Sequence, residues 1–386
     1  MAAVGGPISP RPRRDTLWAH VLDPADRAAL DPGAPAELDR RPDVLVVGGG
    51  AMGLATAVLC RRAGIGRVLV IEADRLAAGP SGGAGGVLAP ELHQASASAE
   101  FMALARRSLE LYRRLDQEWA GALGLRWSPH LMLLPEGPPS PPRPRPGIEV
   151  LTAERVAELA PGLAPVQGAL LTVEQARLNP LRLAAVLSRA AGTVATGVAM
   201  TGAEASHGRL VRVGTTHGDI HPGAVVFATG LAPEPWVRIP QRLVKGHLLV
   251  TEPGAFGLPI GAHTVDLGFG PTVGGGLLAG GTRDEGDFEP QVRPEVVASI
   301  LRRMGELLPA SKGVGVRRAW CCFRPATADG HPVIDRVPEV DNAWVTAGHD
   351  GTGILLAPAT GQAIADWIAG GDRPRGIGSL GVARFG

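Results

Sequence analysis

Cysteine is scarce in this chain, and neither sign of charge prevails. Three cysteines occur among 386 residues, and two of them, Cys321 and Cys322, are adjacent. Such a set cannot build a disulfide framework, which predicts a reduced protein of the cytoplasm. Lysine and arginine together number 38 against 37 acidic residues, for a net charge of +1. The charge balance therefore gives no support for a nucleic acid or an acidic membrane as a partner.

Long apolar runs and clustered metal ligands are also missing. No apolar segment reaches the length of a membrane span, and Met1–Arg14 lacks the apolar core of a signal peptide. Because His, Cys and acidic residues nowhere recur at the spacing of a metal site, we predict no bound metal. Tyrosine occurs once, at Tyr112. Glycine and proline are abundant, with 54 and 35 residues, which favours an α/β protein with many tight turns.

A glycine motif follows the first strongly apolar segment. Asp43–Val47 is a short, almost continuous apolar run, the pattern of a strand buried on both faces of a parallel sheet. Gly48, Gly50 and Gly53 come next, in the spacing G-x-G-x-x-G. The first glycine permits a tight turn, the second lets a pyrophosphate approach the backbone, and the third lets a helix pack on the strand. A plain turn is the alternative interpretation of such glycines taken alone.

The segments after this motif complete a βαβ unit. Ala51–Arg62 is predicted to be a helix whose first free N–H groups face the phosphates. Arg67–Ile71 is predicted to be a second buried strand, and Glu72 ends it where the ribose of a dinucleotide needs a hydrogen-bond acceptor. Strand, glycines, helix, strand and acid in one unit predict a dinucleotide site.

Two further glycine-rich segments indicate that the dinucleotide is a flavin. Gly79–Gly86 holds five glycines in eight residues, so we predict a non-helical backbone, bare enough for a flat ring to lie against it. Gly348–Gly361 again places glycines ahead of a helix, which is predicted over Gly353–Ile368. A second helix N-terminus would stabilise negative charge on a reduced flavin ring, whereas a nicotinamide dinucleotide needs no such group.

The remaining apolar patterns predict an α/β fold with two interleaved domains. The first is a Rossmann-like FAD-binding domain, a parallel sheet with helices, and the second is a substrate domain built on an antiparallel sheet. A long amphipathic helix is expected from Ala99, and Ala224–Phe227 is expected to return the chain to the first sheet. We predict an N-terminal arm at 1–40, the FAD-binding domain at 41–97, 174–235 and 324–386, and the substrate-binding domain at 98–173 and 236–323.

Taken together, these motifs resemble the flavin-dependent D-amino acid oxidase superfamily, and within it the glycine oxidase and monomeric sarcosine oxidase branch. The resemblance covers nearly everything from Asp43 onward. It also includes Ser81–Gly86, Asn179-Pro180, Ala228–Gly230 and Phe323–Gly330. It implies FAD, and oxidation of a small carboxylated amine to an imine by hydride transfer to the flavin. Hydrolysis to an oxo acid and an amine would follow, with hydrogen peroxide formed from O2.

The predicted FAD contacts combine the motif residues with positions that the resemblance adds. They are Gly48, Gly50, Ala51, Met52, Gly53, Glu72, Ala73, Arg75, Ser81, Gly85, Gly86, Val198, Ala228, Gly230, Cys322, Gly351, Thr352, Gly353 and Ile354. Cys322 occupies the position from which monomeric sarcosine oxidases bond covalently to the flavin. Covalent attachment is one hypothesis for this thiol, and packing of a small apolar residue on a buried strand is the other. The adjacent Cys321 is expected to face the opposite side of that strand.

Arg324 is the predicted anchor for the substrate carboxylate. A planar guanidinium binds a carboxylate through two parallel hydrogen bonds, and the resemblance implies this part for the arginine before this proline. The alternative is an arginine paired with a core acid such as Asp329 or Asp335. The chain departs from glycine oxidases at Gly351, where they place a second arginine. This departure leaves room for a larger or N-substituted substrate.

His349 and His247 are predicted to tune charge near the ring, with a structural hydrogen bond as the alternative for each. Two other functions stay open at the level of sequence. One is a dehydrogenase that passes electrons from FAD to a quinone or a protein acceptor. The other is a flavin-binding partner protein without turnover, against which the presence of Arg324 beside an intact closing glycine run argues. The identity of the amine and the oligomeric state do not follow from the sequence.

Overall fold

The computed structural model describes residues 16–93, 97–134, 147–232 and 236–386, so the first fifteen residues of the predicted arm lie outside it. The α-helices of these ranges are α1 (Leu17–His20), α2 (Pro24–Ala29), α3 (Ala51–Arg62), α4 (Pro80–Gly83), α5 (Ala99–Glu118), α6 (Ala153–Leu159), α7 (Pro180–Ala190), α8 (Pro294–Leu307) and α9 (Gly353–Gly370). None of these helices combines the length and the apolar character that a membrane crossing requires.

A six-stranded sheet carries the dinucleotide motif. In spatial order its strands are β18 (Val333–Arg336), β19 (Ala343–Ala347), β12 (Ala224–Phe227), β1 (Val44–Val47), β2 (Val68–Glu72) and β9 (Thr193–Thr196). All neighbouring pairs are parallel except β18 with β19. Every residue of β1 is buried, because helices cover one face of this sheet and the hairpin of β10 (Met200–Ser206) and β11 (Arg209–Thr215) covers the other.

Helices α3, α5, α7 and α9 form the layer on the first face, and α3 and α9 cross closely. A Cβ added to Gly361 would lie 2.8 Å from the backbone carbon of Ala55, so the crossing requires glycine there. The only tyrosine of the chain, Tyr112, is fully buried and donates its hydroxyl to the carbonyl oxygen of Ile354 at 2.6 Å. Tyr112 therefore ties α5 to the start of α9.

A second, eight-stranded sheet is mostly antiparallel. In spatial order its strands are β17 (Val316–Thr327), β13 (Gln241–Thr251), β16 (Leu277–Gly280), β15 (Gly268–Pro271), β14 (Gly261–His263), β5 (His130–Leu134), β7 (Gly168–Thr172) and β6 (Ile148–Thr152). Only β14 and β5 pair in parallel. An apolar cluster that includes α8 covers one face. A small sheet of β3 (Val87–Leu88), β8 (Ala176–Arg177) and β4 (Arg126–Trp127) lies beside it.

The parallel sheet with helices and the separate antiparallel sheet confirm the predicted fold class. One local expectation was wrong, since Pro80–Gly83 forms a single helical turn with proline in its first turn, where the missing N–H costs no bond. The division into domains stays a prediction. Helix α5 packs with the FAD-side helices, and β17 runs across the predicted boundary at 323/324.

Candidate active site

A cavity of about 710 Å³ opens between the two large sheets. The carboxyl ends of β1 and β2 border it on one side, together with the segment that leads into α9. Residues of β13, β15, β16 and β17 border it on the other. Clefts of several hundred Å³ at the carboxyl edge of a parallel sheet are the usual place for a bound cofactor.

Glycines close the turn after β1 so tightly that it tolerates no side chain at two of them. A Cβ added to Gly53 would lie 1.9 Å from the carbonyl oxygen of Gly48. One added to Gly48, whose φ is +117°, would lie 2.3 Å from the carbonyl oxygen of Ala228. Gly50 differs, because its Cβ would meet only the Ser81 hydroxyl, at 3.2 Å, and would otherwise project into the cavity. A residue larger than glycine at position 50 would therefore place its side chain in the cavity.

Backbone amides hold Glu72 in place at the end of β2. The N–H of Gly49 donates to Oε2 at 2.7 Å, and the N–H of Asp74 donates to Oε1 at 2.9 Å. A carboxylate has lone pairs beyond these two bonds, so Glu72 can also accept a hydrogen bond from a ribose hydroxyl. At the start of α3 the N–H of Ala51 donates to Ser81 Oγ at 3.0 Å. Because Gly50 and Ala51 line the cavity, the positive end of this helix dipole faces it.

The glycine-rich segment around α4 packs directly on β17. A Cβ on Gly83 would lie 2.5 Å from the Cβ of Cys322, so glycine is needed for this contact. Cys322 lines the cavity with its side chain buried. Burial raises the pKa of this thiol, and the charge of Arg324 lowers it by a smaller amount. The sulfur is therefore a thiol at neutral pH, and its covalent attachment to FAD stays a prediction.

Arg324 extends from β17 into the cavity and has no acidic partner among the residues that the structure describes. Its Nη1 donates to the carbonyl oxygen of Thr282 at 2.9 Å. The two acids considered as partners lie in ion pairs with other arginines, Asp329 at 2.7 Å and Asp335 at 3.7 Å. A Cβ on Gly246 would lie 2.4 Å from Nη2, so glycine makes room for the guanidinium. The remaining N–H groups are available to a carboxylate.

The two candidate histidines differ in position, since His349 lines the cavity and His247 does not. His349 is buried and lines the cavity, and burial lowers its pKa to about 3, so the imidazole is neutral at pH 7. His247 pairs with Cys321 across β13 and β17, on the face opposite to Cys322. It accepts the backbone N–H of Arg293 at 3.1 Å. The structure brings His349 to the cavity and leaves His247 away from it, in a structural hydrogen bond.

Comparison with known proteins identifies the family. The family model DAO, FAD dependent oxidoreductase, matches residues 43–367. This chain belongs to that family. Glycine oxidase of Bacillus licheniformis is 27% identical over 363 residues, which cover 86% of this chain and 94% of its own. Glycine oxidase of Pseudomonas putida is 27% identical over 348 residues, which cover 85% and 95%. The crystal structure of glycine oxidase from Geobacillus kaustophilus matches with a TM-score of 0.79 at 25% identity, over 89% of this chain and 99% of that one.

The chain is thus an FAD-dependent amine or amino-acid oxidoreductase, and its cavity fits the cofactor. Of the predicted FAD contacts, those that line the cavity are Gly48, Gly50, Ala51, Met52, Glu72, Ala73, Ser81, Gly85, Gly86, Val198, Ala228, Gly230, Cys322, Gly351, Gly353 and Ile354. Gly53, Arg75 and Thr352 do not line it. Gly53 packs against the turn beneath, and the Thr352 hydroxyl donates to the carbonyl oxygen of His349 at 2.6 Å.

Sequence reasoning missed a basic group in the cavity of this FAD enzyme. Arg177, His130 and His263 line it, as does Arg283, which pairs with Asp350 at 2.9 Å. The only local signal at Arg177 is a charged residue between apolar ones just before α7, and this signal does not show where the side chain lies. The described ranges contain no group of three or more His, Cys, Asp or Glu side chains that could hold a metal ion.

Proposed function

We propose that this enzyme oxidises the C–N bond of a small carboxylated amine, such as glycine, an N-substituted glycine or a D-amino acid, and passes the electrons to O2. The observation that carries the proposal is Arg324, a half-buried guanidinium in the cavity with no acidic partner among the described residues. Similarity to glycine oxidases supports an amine with a carboxylate as the substrate class.

A different group of residues would hold each part of FAD. The pyrophosphate would lie at the N-terminus of α3 beside Gly50, and the ribose would lie at Glu72. The ring would lie between Gly85–Gly86 and the loop at Gly351–Ile354. When bound, FAD supplies the acceptor for a hydride from the carbon next to the amine nitrogen.

The chain's own part would be to bind, orient and desolvate the amine. Arg324 would fix the carboxylate through two parallel hydrogen bonds. An apolar site lowers the pKa of an ammonium group and so favours the neutral amine, and the neutral His349 adds no charge nearby. The carbon loses a hydride and the nitrogen a proton, which leaves an imine that water converts to an oxo acid and an amine. Two electrons and two protons turn O2 into hydrogen peroxide.

Peroxide release from paired substrates tests this function. Glycine, N-methylglycine and D-alanine would each be compared with the same amine lacking the carboxylate, namely methylamine, dimethylamine and ethylamine. We expect peroxide from at least one carboxylated amine and far less from its partner. Equal release within every pair contradicts a carboxylate anchor. Slow reoxidation of the substrate-reduced enzyme by air would favour a dehydrogenase with another electron acceptor.

A further inference from the structure

Arg177 occupies a space that glycines on the second sheet provide. It is the last residue of β8, opposite Val87 of β3, and its side chain lines the cavity. A Cβ on Gly261 of β14 would lie 2.3 Å from its Nη2, and one on Gly270 of β15 would lie 2.7 Å from the same atom. Two strands therefore lack side chains where this guanidinium lies.

The guanidinium of Arg177 makes no hydrogen bond and no ion pair with any part of the chain that the structure describes. Burial lowers its pKa, but a guanidinium stays charged in proteins. Two of the acids that line the same cavity are paired with other arginines, Asp266 with Arg303 at 3.2 Å and Asp350 with Arg283 at 2.9 Å. A half-buried charge without a partner in the chain is unfavourable unless water or a ligand supplies the missing hydrogen bonds. Such a group calls for an explanation outside folding.

Two imidazoles lie beside this charge. The rings of His130 and His263 stack with centroids 4.9 Å apart, and both line the cavity. His130 is 3% exposed, and neither of its ring nitrogens has a hydrogen-bond partner. Burial, with smaller effects of His263 and Arg177, lowers the pKa of His130 to about 2, so its ring is neutral and carries one N–H donor. Arg177 thus lines the cavity beside an imidazole whose ring nitrogens also lack partners.

This group is separate from Arg324. The guanidinium of Arg324 lies against Gly246 of β13, whereas that of Arg177 lies against Gly270 of β15, two strand positions away in the same sheet. Neighbouring strands are about 4.8 Å apart, so one small carboxylate cannot bind at both places. The cavity holds two unpaired guanidinium groups at separate positions.

We propose that Arg177, with His130 beside it, binds a second negatively charged group of the substrate, so that the preferred substrates are amines with two carboxylates. The inference rests on the proposed function, because Arg324 is taken to bind the first carboxylate. A second carboxylate would give Arg177 the counter-ion that the chain does not supply.

Thioether acids test the subsite without turnover, because sulfur replaces the amine nitrogen. Thiodiacetate would be compared with (ethylthio)acetate, and (carboxymethylthio)propanoate with (propylthio)acetate, so that within each pair one carboxylate becomes a methyl group. Affinity for the FAD-loaded enzyme would be measured by calorimetry. We expect at least one diacid to bind about 10- to 100-fold more tightly than its monoacid, the range of a hydrogen-bonded charge pair.

Variants assign this preference to Arg177. Arg177→Met should abolish the diacid preference and leave monoacid affinity unchanged, whereas Arg177→Lys should keep part of it. Arg302→Gln, at an exposed position of α8 paired with Glu306, is the control and should change nothing. Arg177→Met should also raise the thermal midpoint, because it removes a half-buried charge that has no partner among the described residues. If Arg177→Met misfolds, Arg177→Lys and the wild-type comparison decide.

Three outcomes of these binding measurements would overturn the proposed subsite at Arg177. Equal binding of diacid and monoacid overturns it and leaves the proposed function standing. Weakened FAD binding in the Arg177 variants, with the diacid preference intact, shows that this arginine serves the cofactor instead. If no probe binds, or if Arg324→Lys does not weaken the monoacids, the first carboxylate site fails and the subsite fails with it.

Discussion

At the scale of single residues, Arg324 allows charge to be separated from geometry. Arg324→Lys keeps the positive charge and loses the two-pronged hydrogen bond to a carboxylate. We expect substrate binding to weaken by about 1.5–3 kcal/mol, the range for hydrogen bonds to charged groups. The absorption spectrum of bound FAD should change little, which spectroscopy on the same sample checks. Unchanged KM for a carboxylated amine would rule out Arg324 as the anchor, and the exposed Arg302→Lys serves as the control.

Gly53 gives a second residue-scale prediction, because a methyl group there has no space. In Gly53→Ala the new Cβ would start 1.9 Å from the carbonyl oxygen of Gly48. The turn after β1 must then shift, and we expect the protein to bind FAD poorly and to lose at least about 2 kcal/mol of stability. Gly202→Ala is the matched control, since its Cβ would meet nothing within 4 Å. Equal FAD content in both variants would contradict the assignment of the motif.

What the sequence could predict at this scale depends on whether a residue's role is local. The part played by Gly48 and Gly53 follows from spacing, because strand, turn and helix are neighbours in the chain. The position of His247 does not, since one step along a strand reverses the face, and only the pairing of β13 with β17 shows which face borders the cavity. Arg177 could not be assigned either, because the glycines that make room for it lie 84 and 93 residues away.

At the scale of elements, the crossing of α3 and α9 brings the two helix N-termini to one cavity. Gly361→Val should separate these helices, because its Cβ would lie 2.8 Å from the backbone of Ala55. We expect a loss of about 1–3 kcal/mol in the free energy of unfolding, measured by denaturant titration. Gly370→Ala, in the same helix with nothing within 4 Å of its Cβ, should cost nothing. Similar stability of both variants would show that the crossing tolerates side chains.

The elements themselves were largely predictable where a periodic pattern was long. The twenty-residue helix α5 has an apolar periodicity that only a helix satisfies, whereas the first βαβ unit was predicted from the order of strand, glycine motif, helix and strand. The turn of helix at Pro80–Gly83 was not predictable from composition, because five glycines between 79 and 86 argue against helix until packing on β17 is known. The two-residue strand β8, which positions Arg177, is too short to have a pattern.

At the scale of the whole molecule, buried neutral histidines predict that the protein loses stability in mild acid. Burial lowers the pKa of His349 from 6.5 to about 3 and that of His263 from 6.5 to about 4. At a pH below 6.5 and above the lowered pKa, the unfolded chain binds more protons than the folded one. The free energy of unfolding therefore falls as pH falls from about 6.5 toward 3. Each group contributes on the order of a few kcal/mol over this window.

His349→Gln tests the origin of that acid sensitivity. Glutamine does not titrate, so the fall in stability between pH 6.5 and 4 should be shallower in this variant, as denaturant titration at several pH values would show. The exposed His221→Gln should follow the wild type. A His349→Gln profile parallel to that of the wild type would mean that other groups cause the acid sensitivity.

The most direct measurement is anaerobic reduction of the FAD-loaded enzyme by a carboxylated amine, followed by stopped-flow absorbance. It isolates the transfer of two electrons from substrate, whatever the later acceptor. We predict rapid loss of the oxidised flavin absorbance with glycine, an N-substituted glycine or a D-amino acid, and a much slower loss with the same amine lacking its carboxylate. Absorbance that stays unchanged across all carboxylated amines, in a protein that retains FAD, would contradict the account.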